Sequence, residues 1–297
     1  LKPIRIAVDI GGTFTDLQVF DGRSGAVHAW KTPTTPDDPS IGLMKGVAEA
    51  AERFGFTLAE VGLLLHGTTI ATNAVLERKL AHAALITTAG FEDVLEINRH
   101  VRRDIYGLAP DPNPVLIPRD ARFGVVERMR ADGSVETALD AASVADVLAR
   151  IDAIGAESVA VTLINSFANA AHEREIGAMI AAARPDLPVS LSCEISPEIR
   201  EYERSSTTVL NAVLVPVVKA YLDRLERRLG DGGFAPLVFL VQSNGGVCSL
   251  RLAAEQPARL LLSGPSGGAL AAGRLAHLLS RPNLVAVDMG GTSFDVS

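Results

Sequence analysis

The residues Asp9-Ile-Gly-Gly-Thr-Phe-Thr-Asp16 return near the other end of the chain as Asp288-Met-Gly-Gly-Thr-Ser-Phe-Asp295. Asp, Gly, Gly, Thr and Asp keep their places in both copies, and each copy follows an apolar run, Ile4 to Val8 and Leu284 to Val287. Glycines let backbone N–H groups approach phosphate oxygens closely and adopt left-handed φ. One copy alone reads equally well as a tight hairpin. Two copies, each flanked by Asp, point to two phosphate-gripping loops that face one nucleotide between two lobes. The candidate phosphate contacts are Gly11, Gly12, Thr13, Thr15 and Asp16 in the first loop and Gly290, Gly291 and Thr292 in the second. Asp9 and Asp288, at strand ends, are placed to hold Mg²⁺ or its waters, since Mg²⁺ takes a few carboxylates together with water and phosphate. The expected ligands are therefore ATP and Mg²⁺.

The surrounding pattern is α/β. Ile4 to Asp9, Asp16 to Phe20 and Ala26 to Lys31 predict a strand meander, with Asp21 to Gly25 as a turn. A Rossmann glycine loop opens a helix, and a P-loop carries Lys after its glycines; neither holds here. Pro39 suits a first helical residue, and Gly55 ends that helix. A strand over Val61 to Leu65 runs into His66-Gly67-Thr68-Thr69, followed by a helix over Ala71 to Lys79 and a strand over Ala83 to Thr87. This rhythm predicts parallel pairing with helices over the sheet. From 98 to 137 it fails, with prolines at 110, 112, 114 and 118, and Arg122 to Arg130 alternates like a short strand. An inserted subdomain and an ordinary surface excursion both fit. Beyond it, Asp140 caps a helix that stops at Gly155, Ser158 to Ile164 is a strand and His172 to Ala183 a helix. The longest predicted helix covers Ile199 to Leu229, with Pro216 inside it as a kink; Leu237 to Val241 is a strand, Ser266 to Leu279 a helix and Leu284 to Val296 a hairpin. The expected parts are 1–97 and 138–283 as one lobe, 98–137 as the insertion, and 284–297 as the opening of a second lobe. Because this last hairpin has no sheet behind it, the chain is expected to be the N-terminal portion of something larger, inactive or nearly so alone.

A formal net charge of −7 argues against a surface that tracks nucleic acid. No apolar run reaches the roughly 18 residues of a membrane span, and the N-terminus enters a strand without a signal-peptide profile. Cys193 and Cys248 stand apart from any metal-ligand spacing, so a reduced, cytoplasmic setting is expected. The six histidines show no HxxxH or HxH spacing, which argues against a dedicated zinc site. Two further loops carry candidate contacts: His66, Thr68, Thr69 and Asn73 after one strand, and Gln242 and Asn244 after another. Each set reads either as a substrate or γ-phosphate contact or as local structure, a helix cap and a plain turn. Glu198, Glu201, Glu203 and Arg204 similarly read as cleft residues or as a charge cluster at a helix start, and Gly264 and Gly267 as packing glycines. Arg99, Arg102 and Arg103 fit an anion contact or a solvated face.

The two Gly-Gly-Thr turns, with Ser266-Gly-Gly-Ala-Leu-Ala-Ala-Gly273 before the second, resemble the phosphate motifs and connecting helix of the actin, Hsp70 and sugar-kinase ATPase superfamily. Together with His66-Gly-Thr-Thr-Ile-Ala-Thr-Asn73, Gln242-Ser-Asn-Gly-Gly246 and Leu262-Ser-Gly-Pro-Ser-Gly-Gly268, they resemble the hydantoinase A / 5-oxoprolinase family across essentially the whole chain. The resemblance implies a ribonuclease H-like mixed sheet flanked by helices, with a second lobe mostly absent from this chain. It implies ATP-driven hydrolysis of cyclic amides such as hydantoins or 5-oxoproline, with Asp9 and Asp288 as the catalytic pair and a second, hydantoinase B-like subunit. The family also holds ATP-using subunits of acetone and acetophenone carboxylases, so a ketone substrate stays open, as does a non-enzymatic Hsp70-like lobe. Neither nucleic acid nor membrane is expected as a partner.

Overall fold

The structure is a computed structural model and describes residues 2–35, 37–101, 106, 108, 114–289 and 294–297. Its first strands are β1 (Ile4–Ile10), β2 (Phe14–Asp21), β3 (Ala26–Pro33), β4 (Val61–Thr68) and β5 (Ala83–Thr88). Then come β6 (Arg122–Val125), β7 (Arg128–Met129), β8 (Val135–Thr137), β9 (Ser158–Thr162) and β10 (Val189–Leu191). The last are β11 (Leu237–Val241), β12 (Val247–Ser249), β13 (Val287–Met289) and β14 (Phe294–Val296). The helices are α1 (Pro39–Phe54), α2 (Ile70–Leu76), α3 (Val94–Ile97), α4 (Ala141–Ala153), α5 (Ala171–Ala183), α6 (Ser192–Ile195), α7 (Glu201–Asp231), α8 (Leu250–Glu255) and α9 (Ser263–Leu278).

Backbone contacts divide the chain into two compact units, Leu1–Lys79 with Val217–Ser297, and Leu80–Pro216. The first is built on a six-stranded mixed sheet of order β3-β2-β1-β4-β11-β12. The β1-β2-β3 meander is antiparallel, β4 pairs parallel with β1, and β11 parallel with β4. This is the ribonuclease H-like arrangement that the sequence resemblance implied. Period-two alternation sets the faces: Ile4, Ile6, Val8 and Ile10 are buried on β1, and Thr15, Leu17 and Val19 on β2. α1 covers part of the sheet, its first turn capped by Asp38, whose carboxylate accepts from the Ser40 N–H (3.2 Å). Since β1, β4 and β11 run parallel, their carboxyl ends share one edge. The β1–β2 turn, residues 67–69 and the loop after Val241 therefore gather there, where ligands collect in open α/β sheets.

The second unit has four parallel strands in the order β10-β9-β5-β6. Its core joins Ile86, Phe123, Val144, Val147, Ile151, Val161, Ile176 and Ile180. The stretches 1–97 and 138–283 are the two expected parts of one lobe. The unit boundaries cut both, because β5 pairs with β6 and β9 and never joins the first sheet. Arg122 to Arg130 forms two strands, and β6 is an edge strand of this second sheet.

The unit boundary at Pro216 falls inside α7. Proline has no N–H for the carbonyl four residues back. That carbonyl, Ala212 O, accepts instead from Ser158 Oγ (2.7 Å), and the next, Val213 O, from the Ala81 N–H (3.1 Å). α7 is also long and apolar enough, by length and composition, to cross a membrane, although no uninterrupted apolar run in the sequence is. Most of that stretch is buried in the protein, including Val209, Val213, Leu214, Val218, Tyr221 and Leu222. Ser158→Ala leaves Ala212 O without its partner and is expected to destabilise by about 1–3 kcal/mol. Adding Pro216→Ala, which restores a helical N–H to that carbonyl, is expected to recover most of the loss in urea denaturation.

Candidate functional site

Strand register builds a row of charge at the shared edge. Asp9 lies directly opposite Asp16, and Asp16 opposite Lys31, whose Nζ is 3.1 Å from Asp16 Oδ1. The β13–β14 hairpin repeats the device, with Asp288 opposite Asp295. Like charges directly opposed across strands destabilise a sheet. Asp9 keeps contact with solvent, yet the protein packed round it strips much of its water and pushes its pKa up. The charges of Asp16 and Asp288 add to the rise, so the leading Asp of the first motif copy feels the leading Asp of the second. Gly290, Gly291 and Thr292 lie outside the described residues. Among the described residues no three His, Cys, Asp or Glu side chains are grouped to hold a metal by themselves.

The first turn is braced by a residue the sequence reading missed. Thr34 Oγ1 donates to Gly11 O (2.9 Å), and its N–H donates to Thr13 O (2.9 Å). Thr15 is fully buried with its hydroxyl 3.1 Å from that of Thr34, so it supports the turn from the core side where a phosphate contact had been expected. Gly12 and Thr13 are exposed. Neither Gly11 nor Gly12 has the left-handed φ expected of them. What favours glycine at 11 is space, because a Cβ there would stand 3.2 Å from Phe14 O.

His66 is fully buried at the end of β4, with Nε2 2.7 Å from Tyr221 Oη on α7. The tautomer decides which of the two donates. Burial pushes its pKa down to about 4, opposed in part by the backbone at Val8 and Gly67, and Nδ1 makes no well-formed hydrogen bond. This is a neutral imidazole inside the protein, with no face to a ligand. Thr68 is buried as well; Thr69 Oγ1 donates to Ile10 O (3.2 Å) and accepts from Asn73 Nδ2 (3.2 Å). Thr69 stands at the N-cap position of α2 without a side-chain capping bond. After β11, Gln242 is buried and Asn244 exposed, with Asn244 Oδ1 accepting from the Gly246 N–H (2.9 Å).

The start of α9 joins the same edge. It begins at Ser263, three residues ahead of the expected Ser266, after Leu262 takes a left-handed backbone. Ser263 Oγ donates to Thr68 O (3.1 Å), and the Leu262 N–H to Thr72 Oγ1 (3.1 Å). Behind it, a cavity of about 520 Å³ lies between α9 and the β13–β14 hairpin, walled by Ala271, Leu275, Val285 and Val287 and reaching Asp288 and Asp295.

Comparison with known proteins agrees with this architecture. The hydantoinase/oxoprolinase N-terminal region family matches residues 5–183, and the hydantoinase/oxoprolinase family matches residues 204–297. The chain belongs to the hydantoinase/oxoprolinase family. It is 36% identical to caprolactamase subunit alpha of Pseudomonas jessenii, over 99% of this chain and 43% of that protein. It is 33% identical to the acetophenone carboxylase gamma subunit of Aromatoleum aromaticum, over 98% of this chain and 42% of that protein. The crystal structure of the ATP-dependent caprolactamase from P. jessenii superposes with a TM-score of 0.88 at 35% identity, covering 98% of this chain and 43% of that one. The chain thus spans under half the length of these relatives.

In this family member the charge cluster at the start of α7 is structural. Arg204 is fully buried and donates to Leu163 O (2.8 Å), Glu198 O (3.1 Å), Ser192 Oγ (3.1 Å) and the Glu201 carboxylate. Glu203 pairs with Arg99 (2.6 Å), while Arg102 and Arg103 lie outside the described residues. Burial also pushes the Cys193 thiol up to about 12, which keeps it protonated.

Two pH signatures follow. Asp9 has a folded pKa above its ordinary 3.8, so its ionisation costs stability, a cost that grows as pH rises through the raised value and is absent below 3.8. Asp9→Asn is expected to melt higher than wild type at pH 7, the difference closing by about pH 3. His66 works in the other direction. Its folded pKa lies below the ordinary 6.5, so the neutral form's contribution is complete above 6.5 and lost as pH falls towards 4. From pH 7 to 4, wild type is expected to lose on the order of 3 kcal/mol more than His66→Gln in urea titrations.

Proposed function

We propose that this chain is the nucleotide-binding part of an ATP-dependent hydrolase that opens cyclic amides of the hydantoin and 5-oxoproline type. What supports the reading most is the repeated motif itself, whose second copy adds the charge of Asp288 to the rise at Asp9. Family membership and the likeness to a caprolactamase support the substrate class. A lactam resists water because its nitrogen donates into the carbonyl. Transfer of the γ-phosphoryl group from ATP to the carbonyl oxygen releases ADP and leaves an electron-poor carbon. Water adds there, the ring nitrogen departs as an amine, and a second water releases phosphate from the acyl phosphate. The sum is cyclic amide, ATP and two waters giving the ring-opened acid, ADP and phosphate.

The residues fit Mg²⁺. Asp9, raised first by burial and further by the charges of Asp16 and Asp288, would be relieved by a cation, and Mg²⁺ needs only one or two carboxylates beside water and phosphate. Asp9 and Asp288 would hold it, and it would neutralise phosphate charge when bound. Gly12 and Thr13, exposed in the first turn, offer donors to phosphate oxygens, while Lys31 balances Asp16. The hairpin at 284–297 is read as the opening of a second lobe, with a second subunit and a cytoplasmic setting as parts of the same proposal. The likeness to an acetophenone carboxylase subunit favours one other reading, an ATP-hydrolysing subunit that converts a ketone, with loss of an α-proton, into its enol phosphate.

ADP release by the full-length protein, with and without its partner, is the test. Turnover is expected with hydantoins, 5-oxoproline or lactams, and Asp9→Ala should lower kcat on the order of 100-fold or more. Stimulation only by a ketone with bicarbonate would favour the carboxylase reading. A phosphorylated product with its ring intact would mark a kinase, and stimulation by unfolded peptide a chaperone-like lobe.

A further inference from the structure

The motif from His66 to Thr72 touches a different part of the first unit at nearly every residue. His66 is bonded to Tyr221 on α7, Thr68 O accepts from Ser263 on α9, Thr69 Oγ1 reaches Ile10 O, and Thr72 Oγ1 accepts from Leu262. Between them lies Gly67, buried and in register with Asp9. A Cβ on Gly67 would stand 2.9 Å from Asp9 Oδ1 and 3.7 Å from Asp9 Cγ, its next contact being Val8 O at 3.7 Å. The Asp9 side chain rests on the bare Cα of residue 67, and Gly264 flanks it from α9, where a Cβ would lie 3.9 Å from the same oxygen.

We propose that residues 66–72 form the seat of the Asp9 carboxylate, with Gly67 its positioning residue, and that this motif acts through Asp9 rather than on the substrate. The contacts at residues 66, 68, 69 and 72 fix the backbone of the seat from α7, α9 and β1, so the height of residue 67 under Asp9 is set from several sides. The atom a methyl group at 67 would displace is the end of a movable side chain. Gly67→Ala therefore shifts the carboxylate while leaving the fold intact. Because a misplaced group can cost about 100-fold in rate with little change in structure, the effect falls on turnover. The catalytic consequence rests on the ATPase reading; the seat itself does not.

The test has two arms in the full-length protein. In the first, melting temperatures are compared for wild type, Asp9→Ala, Gly67→Ala and the double variant. The new methyl group is expected to lower the melting temperature less in the Asp9→Ala background than beside an intact Asp9. An equal loss in both backgrounds would place the clash elsewhere and overturn the proposal, even if Gly67→Ala folds poorly. In the second arm, Gly67→Ala is expected to lower kcat with Mg-ATP at least 10-fold at a temperature where it stays folded. Unchanged kcat in a protein whose wild type turns over ATP would also overturn it. If wild type shows no ATP turnover, the functional reading falls, and the melting cycle alone decides the seat.

Discussion

The first unit turns on a carboxylate, Asp9, that is held partly out of water among like charges. β1 delivers this carboxylate to the sheet edge, the hairpin puts Asp16 across from it, and Asp288 adds a third negative charge. Protein packed round Asp9 removes part of the water that would screen its charge, so its ionisation works against the stability of the apoprotein. Buried Ile4, Ile6, Val8 and Ile10 on the same strand offset it from beneath. Such local conflict is informative, because carboxylates perturbed by burial and by like charges cluster at functional sites, where a bound cation relieves them.

Around that centre, hydroxyl groups point at backbone more than outward. Thr34 ties Gly11 O, Thr69 ties Ile10 O and Ser263 ties Thr68 O, and within the second unit Ser158 likewise ties Ala212 O. Each satisfies a carbonyl that regular pairing leaves over at a turn, a helix start or a proline. A loop whose carbonyls are already engaged keeps its shape when a ligand arrives, and that shape sets where donors such as those of Gly12 and Thr13 point.

Much of this was legible in the sequence. Apolar runs gave β1, β4 and β11, alternation gave β2, and the repeated Asp-x-Gly-Gly-Thr turns gave the candidate phosphate loops. Thr15 was legible too, had the alternation been counted back from Leu17 and Val19, since all three share the buried face of β2. The register likewise sets Lys31 beside Asp16. His66 was not, because a histidine after a buried strand fits a ligand contact as well as a buried brace, and its partner Tyr221 lies 155 residues away. Nor was the departure of β5 into a second sheet, for a βαβ rhythm is the same whether the next strand joins its neighbour or starts another layer.

On the proposed reading, relatives named for a lactam and for a ketone can share this region because both reactions place the same charge there. Phosphorylating a carbonyl oxygen places new negative charge at the phosphoryl group and removes electron density from the carbon. The neighbouring atom, nitrogen or carbon, alters how readily the oxygen attacks but scarcely alters the charge that must be neutralised. On that reading Asp9, Asp16, Lys31 and the first turn answer to that charge, which is the same for either substrate. The carbonyl's substituents are then recognised by surfaces other than this carboxylate row, which leaves the row free to serve either chemistry unchanged.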